Sequence, residues 1–210
     1  RERLRWGLRR LAVGLQEPLR FIKLCDTSLP YKARWQPRAF RATVEREAYE
    51  RNLDPFHMWA LMYTESWFRR HVVSYVGARG ALQIMPWTGR QLVVRLGENP
   101  HDFDPDILFD IAENARLSAY YVSELFSKFH GQAPMAYASY NGGPSNVGRW
   151  VRQKSSQLPL SVDEFVEEVE FDETRRYTRR VMEVEAVYEL LYKGELPRWN
   201  NSVDPKVEDN

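Results

Sequence analysis

The stretch TESWFRRHVVSYVGARGALQIMPWT, from Thr64 to Thr88, decides how this chain of 210 residues folds. It places one acid, Glu65, near the end of an apolar helical run and continues into a loop that contains Gly77 and Gly80. A carboxyl group among apolar side chains loses hydration when it ionises, so its pKa rises and it can donate a proton near neutral pH. The two glycines predict positive φ angles or close approach of a ligand. The stretch therefore predicts a protonated acid beside a glycine-bearing loop.

The helix that carries Glu65 has a clear start in the sequence. Asp54 is a favourable N-cap, and Pro55 suits the first helical position. The residues that then recur at helical spacing are Phe56, Trp59, Met62, Tyr63 and Ser66. Most glutamates in helices are exposed to solvent. Here apolar residues flank Glu65 and no lysine is spaced to neutralise it, which favours a functional acid over a surface glutamate.

Three blocks of sequence together resemble the signature of the soluble lytic transglycosylases, lysozyme-like enzymes of the bacterial cell wall. The first block contains Glu65-Ser66, SYVGARG at 74–80 and QIMPWT at 83–88. The second is ASYNGGPSNV at 138–147, and the third combines FVE at 165–167 with FDETRRY at 171–177. One such block is a weak motif, but three in the right order are a strong signal. The resemblance implies a mainly α fold, with a lysozyme-like catalytic domain of the goose-type and SLT kind.

The resemblance also implies an activity, in which Glu65 is the catalytic residue. Glu65 is expected to protonate the leaving oxygen of the β-1,4 bond between N-acetylmuramic acid and N-acetylglucosamine. As a carboxylate it then takes the proton of the muramic acid C6 hydroxyl, and a 1,6-anhydromuramic acid end forms. Seven residues are implied to bind peptidoglycan strands: Ser74, Gln83, Met85, Tyr140, Asn141, Glu173 and Tyr177. Tyr140 is expected to orient the Glu65 carboxyl, and Glu173 and Tyr177 to contact saccharide or peptide groups.

Two other functions stay open at this point. A hydrolytic goose-type lysozyme needs a second carboxylate to activate water, and no acid lies between Glu65 and Glu98. A catalytically silent peptidoglycan-binding module would keep the binding residues without the chemistry, and the presence of Glu65 argues against it. The products separate the enzymes, because a hydrolase leaves reducing ends and a transglycosylase leaves anhydro ends.

Composition excludes several classes of protein. A hydrophobic content of 43% with 13% aromatic residues is that of a globular chain. The net charge of +1 argues against nucleic-acid binding, which usually requires a strongly basic domain. No apolar run reaches the roughly 18 residues of a transmembrane helix. The single cysteine, Cys25, excludes an internal disulfide, and the four histidines lack metal-binding spacing, so we expect no metal and no cofactor.

We expect three regions: a basic amphipathic helical segment and linker at 1–36, the lysozyme-like catalytic domain at 37–196, and a polar tail at 197–210. In the first region, a leucine stripe runs among arginines, and a helix packed on protein is the favoured interpretation. Contact with a membrane surface through residues 1–24 is the alternative. The chain begins with Arg and has no signal peptide, so we expect a processed or partial chain. The resemblance alone implies the periplasm or cell envelope.

The periodicity predicts helices and no run of strands. The predicted helices are 38–51, 55–69, 86–96, 105–129, 134–140, 145–153, 161–168 and 172–193. Asp104 before Pro105 repeats the capping pattern of Asp54, Ser161 to Glu164 fits a capping box, and Gly194 suits a helix end.

Overall fold

The computed structural model describes residues 36–153, 160–197 and 199, with the backbone of 202–203. The helices within these ranges are α1 (Arg41–Tyr49), α2 (Pro55–Ser66), α3 (Pro86–Arg95), α4 (Ile111–Lys128), α5 (Ala133–Gly142), α6 (Pro144–Gln153), α7 (Val162–Glu167) and α8 (Asp172–Tyr192). A 3-10 helix, Pro105–Phe109, precedes α4, and the short strands β1 (Leu160–Ser161) and β2 (Ser202–Val203) pair antiparallel. The mainly α fold is confirmed. The predicted amphipathic segment at 1–24 and Cys25 lie outside the described residues.

Side-chain caps fix several helix starts, as the sequence predicts. The side chains of Asp54 and Asp104 each accept a hydrogen bond from the backbone N–H two residues later. Ser161 and Glu164 form the complete capping box at the start of α7. These bonds satisfy N–H groups that have no partner within the helix, so each cap places a helix start at one residue.

Three predicted helices were wrong in extent. The predicted helix 38–51 is the shorter α1, Arg41–Tyr49. The predicted helix 105–129 is divided at Asp110, whose extended backbone ends the 3-10 helix and whose side chain caps α4. The predicted helix 55–69 ends at Ser66, because Trp67 and Phe68 adopt positive φ angles of 55° and 64°. This turn directs the chain out of α2 immediately after Glu65.

α2 is the centre of the hydrophobic core. Met58, Leu61 and Met62 have no exposed surface, and most of the other α2 residues are also buried. A helix that is apolar on all sides must be surrounded by other elements. α8 packs on α2 more extensively than any other pair of described helices does, and α1 also packs against α2. The core therefore fixes the helix that carries Glu65.

The loop between α2 and α3 is held in a tight shape. Arg79 exchanges two backbone hydrogen bonds with Ile84, at 2.9 and 3.0 Å. Gly80 has a φ of +82°, and a Cβ atom at this position would lie 2.0 Å from the carbonyl oxygen of Leu108. Only glycine fits such a close approach at a positive φ.

Two buried polar side chains join this loop to the helices. Asn114 of α4 is fully buried; its Oδ1 accepts from the N–H of Leu82 at 2.8 Å and its Nδ2 donates to the carbonyl of Arg79 at 3.3 Å. The hydroxyl of Ser66, at the end of α2, donates to the carbonyl of Ala81 at 2.7 Å. The loop is thereby fixed relative to the C-terminal end of α2.

We expect Gly80→Ala to lower the free energy of unfolding by more than about 3 kcal/mol, because it adds a backbone clash to an unfavourable φ. Gly77→Ala is the matched control: its φ is +92°, but a Cβ atom there meets nothing within 4 Å. That variant should lose only about 1–2 kcal/mol, the cost of the left-handed backbone. Denaturant unfolding measures both, and equal losses would show that the contact with Leu108 relaxes freely.

Candidate active site

Glu65 is the penultimate residue of α2 and is partly buried. The hydroxyl of Tyr177, in the second turn of α8, donates a hydrogen bond of 2.6 Å to Oε1 of Glu65. The contact joins residues that are 112 positions apart in the chain. A short bond from a phenol to a carboxyl oxygen is strong when the carboxyl is ionised. Tyr177 can therefore stabilise the charge that Glu65 carries after it has donated a proton.

The environment of Glu65 changes its acidity. Burial raises the pKa of Glu65 from 4.5 to about 7, while the hydrogen bond from Tyr177 acts in the opposite direction. The carboxylate of Glu173 contributes a further increase through charge repulsion. The pKa is raised, as the sequence predicts. At neutral pH both the protonated and the ionised form of Glu65 are therefore populated. A group that acts first as an acid and then as a base needs access to both forms.

Tyr140 lies beside Glu65 but bonds elsewhere. Its hydroxyl donates to the carbonyl oxygen of Leu82 at 2.8 Å and lies 3.4 Å from Oγ of Ser118. Burial raises the pKa of Tyr140, and the charge of Glu65 adds to the increase. The expected bond from Tyr140 to the carboxyl is not made, because the carbonyl of Leu82 takes its hydroxyl, and Tyr177 bonds to Glu65 instead.

Ser74 and Gln83 lie on the loop, partly buried. Oγ of Ser74 accepts from the N–H of Ala78 at 2.9 Å. Gln83 has a positive φ of 49°, and its Nε2 donates to the carbonyl of Gly80 at 2.7 Å and to that of Val72 at 3.2 Å. These bonds stabilise the loop, so both residues contribute to its shape whatever else they contact.

The remaining predicted residues lie at helix ends. Met85 is the N-cap residue of α3 and is partly buried. Oδ1 of Asn141 accepts from the hydroxyl of Thr174 at 2.7 Å, which joins the end of α5 to the start of α8. Glu173 is exposed, one helical turn before Tyr177. The structure thus brings Glu65, Tyr177, Tyr140 and Glu173 into electrostatic contact.

The sequence analysis missed three polar residues that support the site: Asn114, Ser118 and Thr174. Asn114 and Ser118 are fully buried and stand one turn apart on α4. Polar residues at this spacing on the apolar face of a helix usually have a specific hydrogen-bonding partner. That spacing was the available signal for the first two, whereas Thr174 had no comparable one.

The described residues contain neither a metal-binding cluster nor a membrane-spanning helix. No group of three or more His, Cys, Asp or Glu side chains stands close enough to hold a metal ion in the described ranges. Among the helices that the structure describes, none has the length and apolar content needed to cross a membrane.

Known proteins resemble this chain in sequence and in fold. A putative soluble lytic murein transglycosylase of Haemophilus influenzae is 29% identical over 162 residues, which cover 77% of this chain and 27% of the relative. The structure of an inactive glutamate-to-glutamine mutant of the lytic transglycosylase Slt from Pseudomonas aeruginosa superposes with a TM-score of 0.72 at 32% identity. That match covers 80% of this chain and 27% of the other.

A second solved structure supports the fold. The 70 kDa soluble lytic transglycosylase of Escherichia coli has a TM-score of 0.75 at 24% identity, over 95% of this chain and 32% of that one. The chain thus spans about a quarter to a third of the length of these relatives. The model of the transglycosylase SLT domain matches residues 42–160, which is more than half of the chain. On this match, this protein belongs to the transglycosylase SLT domain family.

Proposed function

We propose that residues 37–196 form the catalytic domain of a peptidoglycan lytic transglycosylase. It cleaves the β-1,4 bond between N-acetylmuramic acid and N-acetylglucosamine and leaves a 1,6-anhydromuramic acid end. The observation that carries the proposal is the carboxyl of Glu65, with a pKa of about 7 and a 2.6 Å bond from Tyr177. The inactive Pseudomonas aeruginosa mutant, in which glutamine replaces a glutamate, supports an essential glutamate in a relative.

In the proposed mechanism one carboxyl transfers a proton twice. Protonated Glu65 donates its proton to the glycosidic oxygen as the bond to the muramic acid C1 breaks, and the acetamido group of that sugar assists at C1. The Tyr177 hydroxyl stabilises the resulting carboxylate. The carboxylate then removes the C6 hydroxyl proton as the C6 oxygen bonds to C1. The proton returns to Glu65, and no water is consumed.

The other predicted residues are proposed to bind the substrate. The loop contributes Ser74 and Gln83, and the start of α3 contributes Met85. The end of α5 contributes Tyr140 and Asn141. Glu173 is exposed and carries a charge, which suits contact with amide or ammonium groups of the peptide stem. Tyr177 receives a second role beyond the predicted saccharide contact, because its hydroxyl is bonded to the catalytic acid.

A hydrolytic goose-type lysozyme is the second candidate. The observation in its favour is the carboxylate of Glu173, which is near enough to raise the pKa of Glu65 and could activate a water molecule. A catalytically silent peptidoglycan-binding module is the third candidate, which the raised pKa of Glu65 disfavours. For all three the proposed location is the periplasm, where peptidoglycan is accessible.

We expect the chain to release soluble fragments with anhydro ends from purified sacculi, and Glu65→Gln to lower this rate by about a hundred- to ten-thousand-fold. The amide has nearly the same shape but cannot donate the acid's proton. Mass spectrometry of the fragments measures rate and end group together. Reducing ends would favour the lysozyme, absence of products the binding module, and a fully active Gln variant would remove Glu65 from the mechanism.

We expect Glu65→Gln to become more stable than the wild type as the pH rises from 4.5 to about 7, with a difference of about 2–3 kcal/mol at pH 8. A carboxyl with a raised pKa binds more protons in the folded state. Its contribution to stability is therefore complete below pH 4.5 and is lost as the pH rises through about 7. Denaturant unfolding across this range measures it. Glu173→Gln, which removes an exposed carboxyl whose repulsion is the smallest cause of the shift, is the control and should gain much less than Glu65→Gln.

We expect Tyr177→Phe to lower the turnover rate at about pH 5 by roughly ten- to a hundredfold, because a hydrogen bond to a charged group is worth about 1.5–3 kcal/mol. The same loss should raise the pKa of Glu65 above 7 and move the alkaline limb of kcat/KM to higher pH. Tyr140→Phe is the matched control, since its hydroxyl bonds to Leu82, and it should change the rate less than about threefold. A larger loss in Tyr140→Phe than in Tyr177→Phe would restore the role first predicted for Tyr140.

A further inference from the structure

Two contacts between polar side chains of α2 and α8 lie near the two ends of α2. Near the C-terminal end of α2, Tyr177 bonds to Glu65. Near its N-terminal end, Nδ1 of His57 lies 2.6 Å from Oε1 of Glu185. His57 precedes Glu65 by eight residues, and Glu185 follows Tyr177 by eight residues. Eight helical residues span about 12 Å, so the two contacts match one antiparallel alignment of the helices.

The second contact, which we call the distal pair (His57 and Glu185), is buried and well connected. The side chain of Glu185 is 1% exposed and that of His57 is 15% exposed. Nδ1 of His57 is also 2.7 Å from the hydroxyl oxygen of Tyr137, and Nε1 of Trp199 donates to Oε2 of Glu185 at 3.1 Å. The hydroxyl of Tyr137 also hydrogen-bonds to the Glu185 carboxylate. A buried carboxylate with three partners is held in one orientation.

The charges around the distal pair favour its ionic form. Burial by itself lowers the pKa of His57, but the adjacent Glu185 carboxylate, together with Asp54 and Glu189, outweighs burial, and the net pKa is raised. The facing cation is Lys193, which pairs with Asp54 and with Glu189. A cavity of about 280 Å³ adjoins the pair and is lined by these same three carboxylates. His57 is therefore drawn towards α8 by charge as well as by hydrogen bonding.

Beyond the distal pair, towards the N-terminal end of α2, the packing of α8 on α2 is apolar and aromatic. The ring of Tyr188 on α8 stacks on Phe56 at 5.9 Å and on Trp59 at 6.0 Å, centroid to centroid. Apolar burial is non-directional. Such faces therefore fix the distance between the helices, but they fix the position of one helix along the axis of the other less well. Fixing alignment is the best-attested use of buried polar and ionic pairs.

We propose that His57 and Glu185 are positioning residues that set the axial alignment of α8 against α2, so that the Tyr177 hydroxyl meets the Glu65 carboxyl. A slip of one residue moves a helix by about 1.5 Å, enough to take a 2.6 Å hydrogen bond out of its favourable geometry. The proposal rests on the proposed function in one respect, the assignment of Glu65 as the catalytic acid. Its effect on the Glu65–Tyr177 contact can be measured without turnover.

The decisive variant is Glu185→Gln, which keeps the shape and an acceptor oxygen but removes the charge that attracts His57. We expect the pKa of Glu65, followed by NMR titration of isotope-labelled glutamate side chains, to rise by about half to one unit, because the bond from Tyr177 that lowers it is weakened. The sign is informative. Loss of a carboxylate acts through charge alone to lower the pKa of other acids, so a rise cannot come from the missing charge.

A double-mutant cycle tests whether the distal pair acts through Tyr177. In a Tyr177→Phe background the bond to Glu65 is already absent, so adding Glu185→Gln should change the pKa of Glu65 by less than about 0.3 units. An equal rise in both backgrounds would overturn the proposal, because the effect would then bypass Tyr177. If Glu185→Gln does not fold, the double variant His57→Gln with Glu185→Gln removes both charges and enters the same cycle.

Tyr188→Phe is the matched control for lost stability. Its hydroxyl lies one turn from Glu185 on α8 but donates to the carbonyl of Pro37, outside α2, at 2.7 Å. We expect a lower melting temperature without a shift in the pKa of Glu65. A Glu185→Gln protein that is folded, less stable and unchanged in this pKa would make the distal pair merely structural and overturn the proposal. A wild type without turnover, but with the predicted pKa changes, would reject the proposed function and leave the positioning role intact.

Discussion

The site depends on one constraint, the enclosure of the Glu65 carboxyl at the end of a helix that is otherwise core. Burial raises its pKa to about 7, so the folded protein at high pH holds a charge that it solvates poorly. A shift of this size corresponds to about 3 kcal/mol, a large fraction of the stability of a typical domain. The hydrogen bond from Tyr177 offsets part of this cost when the group is ionised. The same arrangement that weakens the fold gives the acid a pKa suited to proton transfer near neutral pH.

The loop after α2 keeps its shape beside that charge through internal contacts. Its turn is fixed by buried polar groups, chiefly Asn114 from α4 and Ser66 from α2, and by the close approach that only Gly80 permits. Each bond satisfies a backbone group that would otherwise be buried without a partner. Because these contacts are internal, the loop needs no ligand to hold its shape. Preorganisation of this kind lowers the cost of aligning the proposed substrate with the acid.

Sequence reasoning succeeded where the information is local. The caps at Asp54 and Ser161, the helix that carries Glu65 and the direction of its pKa shift all follow from neighbouring residues. It was less accurate where two local signals compete. Asp110 lies within the periodic pattern of the predicted helix 105–129, and aspartate is also a favourable N-cap residue. The interruption there follows from the side chain of Asp110 capping α4.

The partner of Glu65 could not be derived from local patterns. Tyr140 and Tyr177 both stand in matched blocks and both end in a hydroxyl beside the acid. Which one bonds to Glu65 depends on where the carbonyl of Leu82 lies, since that oxygen takes the hydroxyl of Tyr140. The position of this carbonyl is set in turn by Asn114 through the adjacent N–H. Such a choice belongs to the packed tertiary structure and is invisible in sequence spacing.

The distribution of polar groups along α2 explains why its ends matter more than its middle. Nine of the twelve α2 residues are buried, and the other three, His57, Thr64 and Glu65, are partly buried. The hydroxyl of Thr64 donates to the carbonyl of Ala60 within the same helix. His57 and Glu65 lie in the first and last turns of α2, and each makes a short polar contact with α8. Among the described residues, one further polar contact between these helices is a longer one, from Arg180 to the hydroxyl of Tyr63 at 3.5 Å. Apolar packing of α8 on α2 supplies most of the cohesion but little directional information. A helix pair built in this way concentrates its alignment in two contacts, one of which is the candidate catalytic site itself.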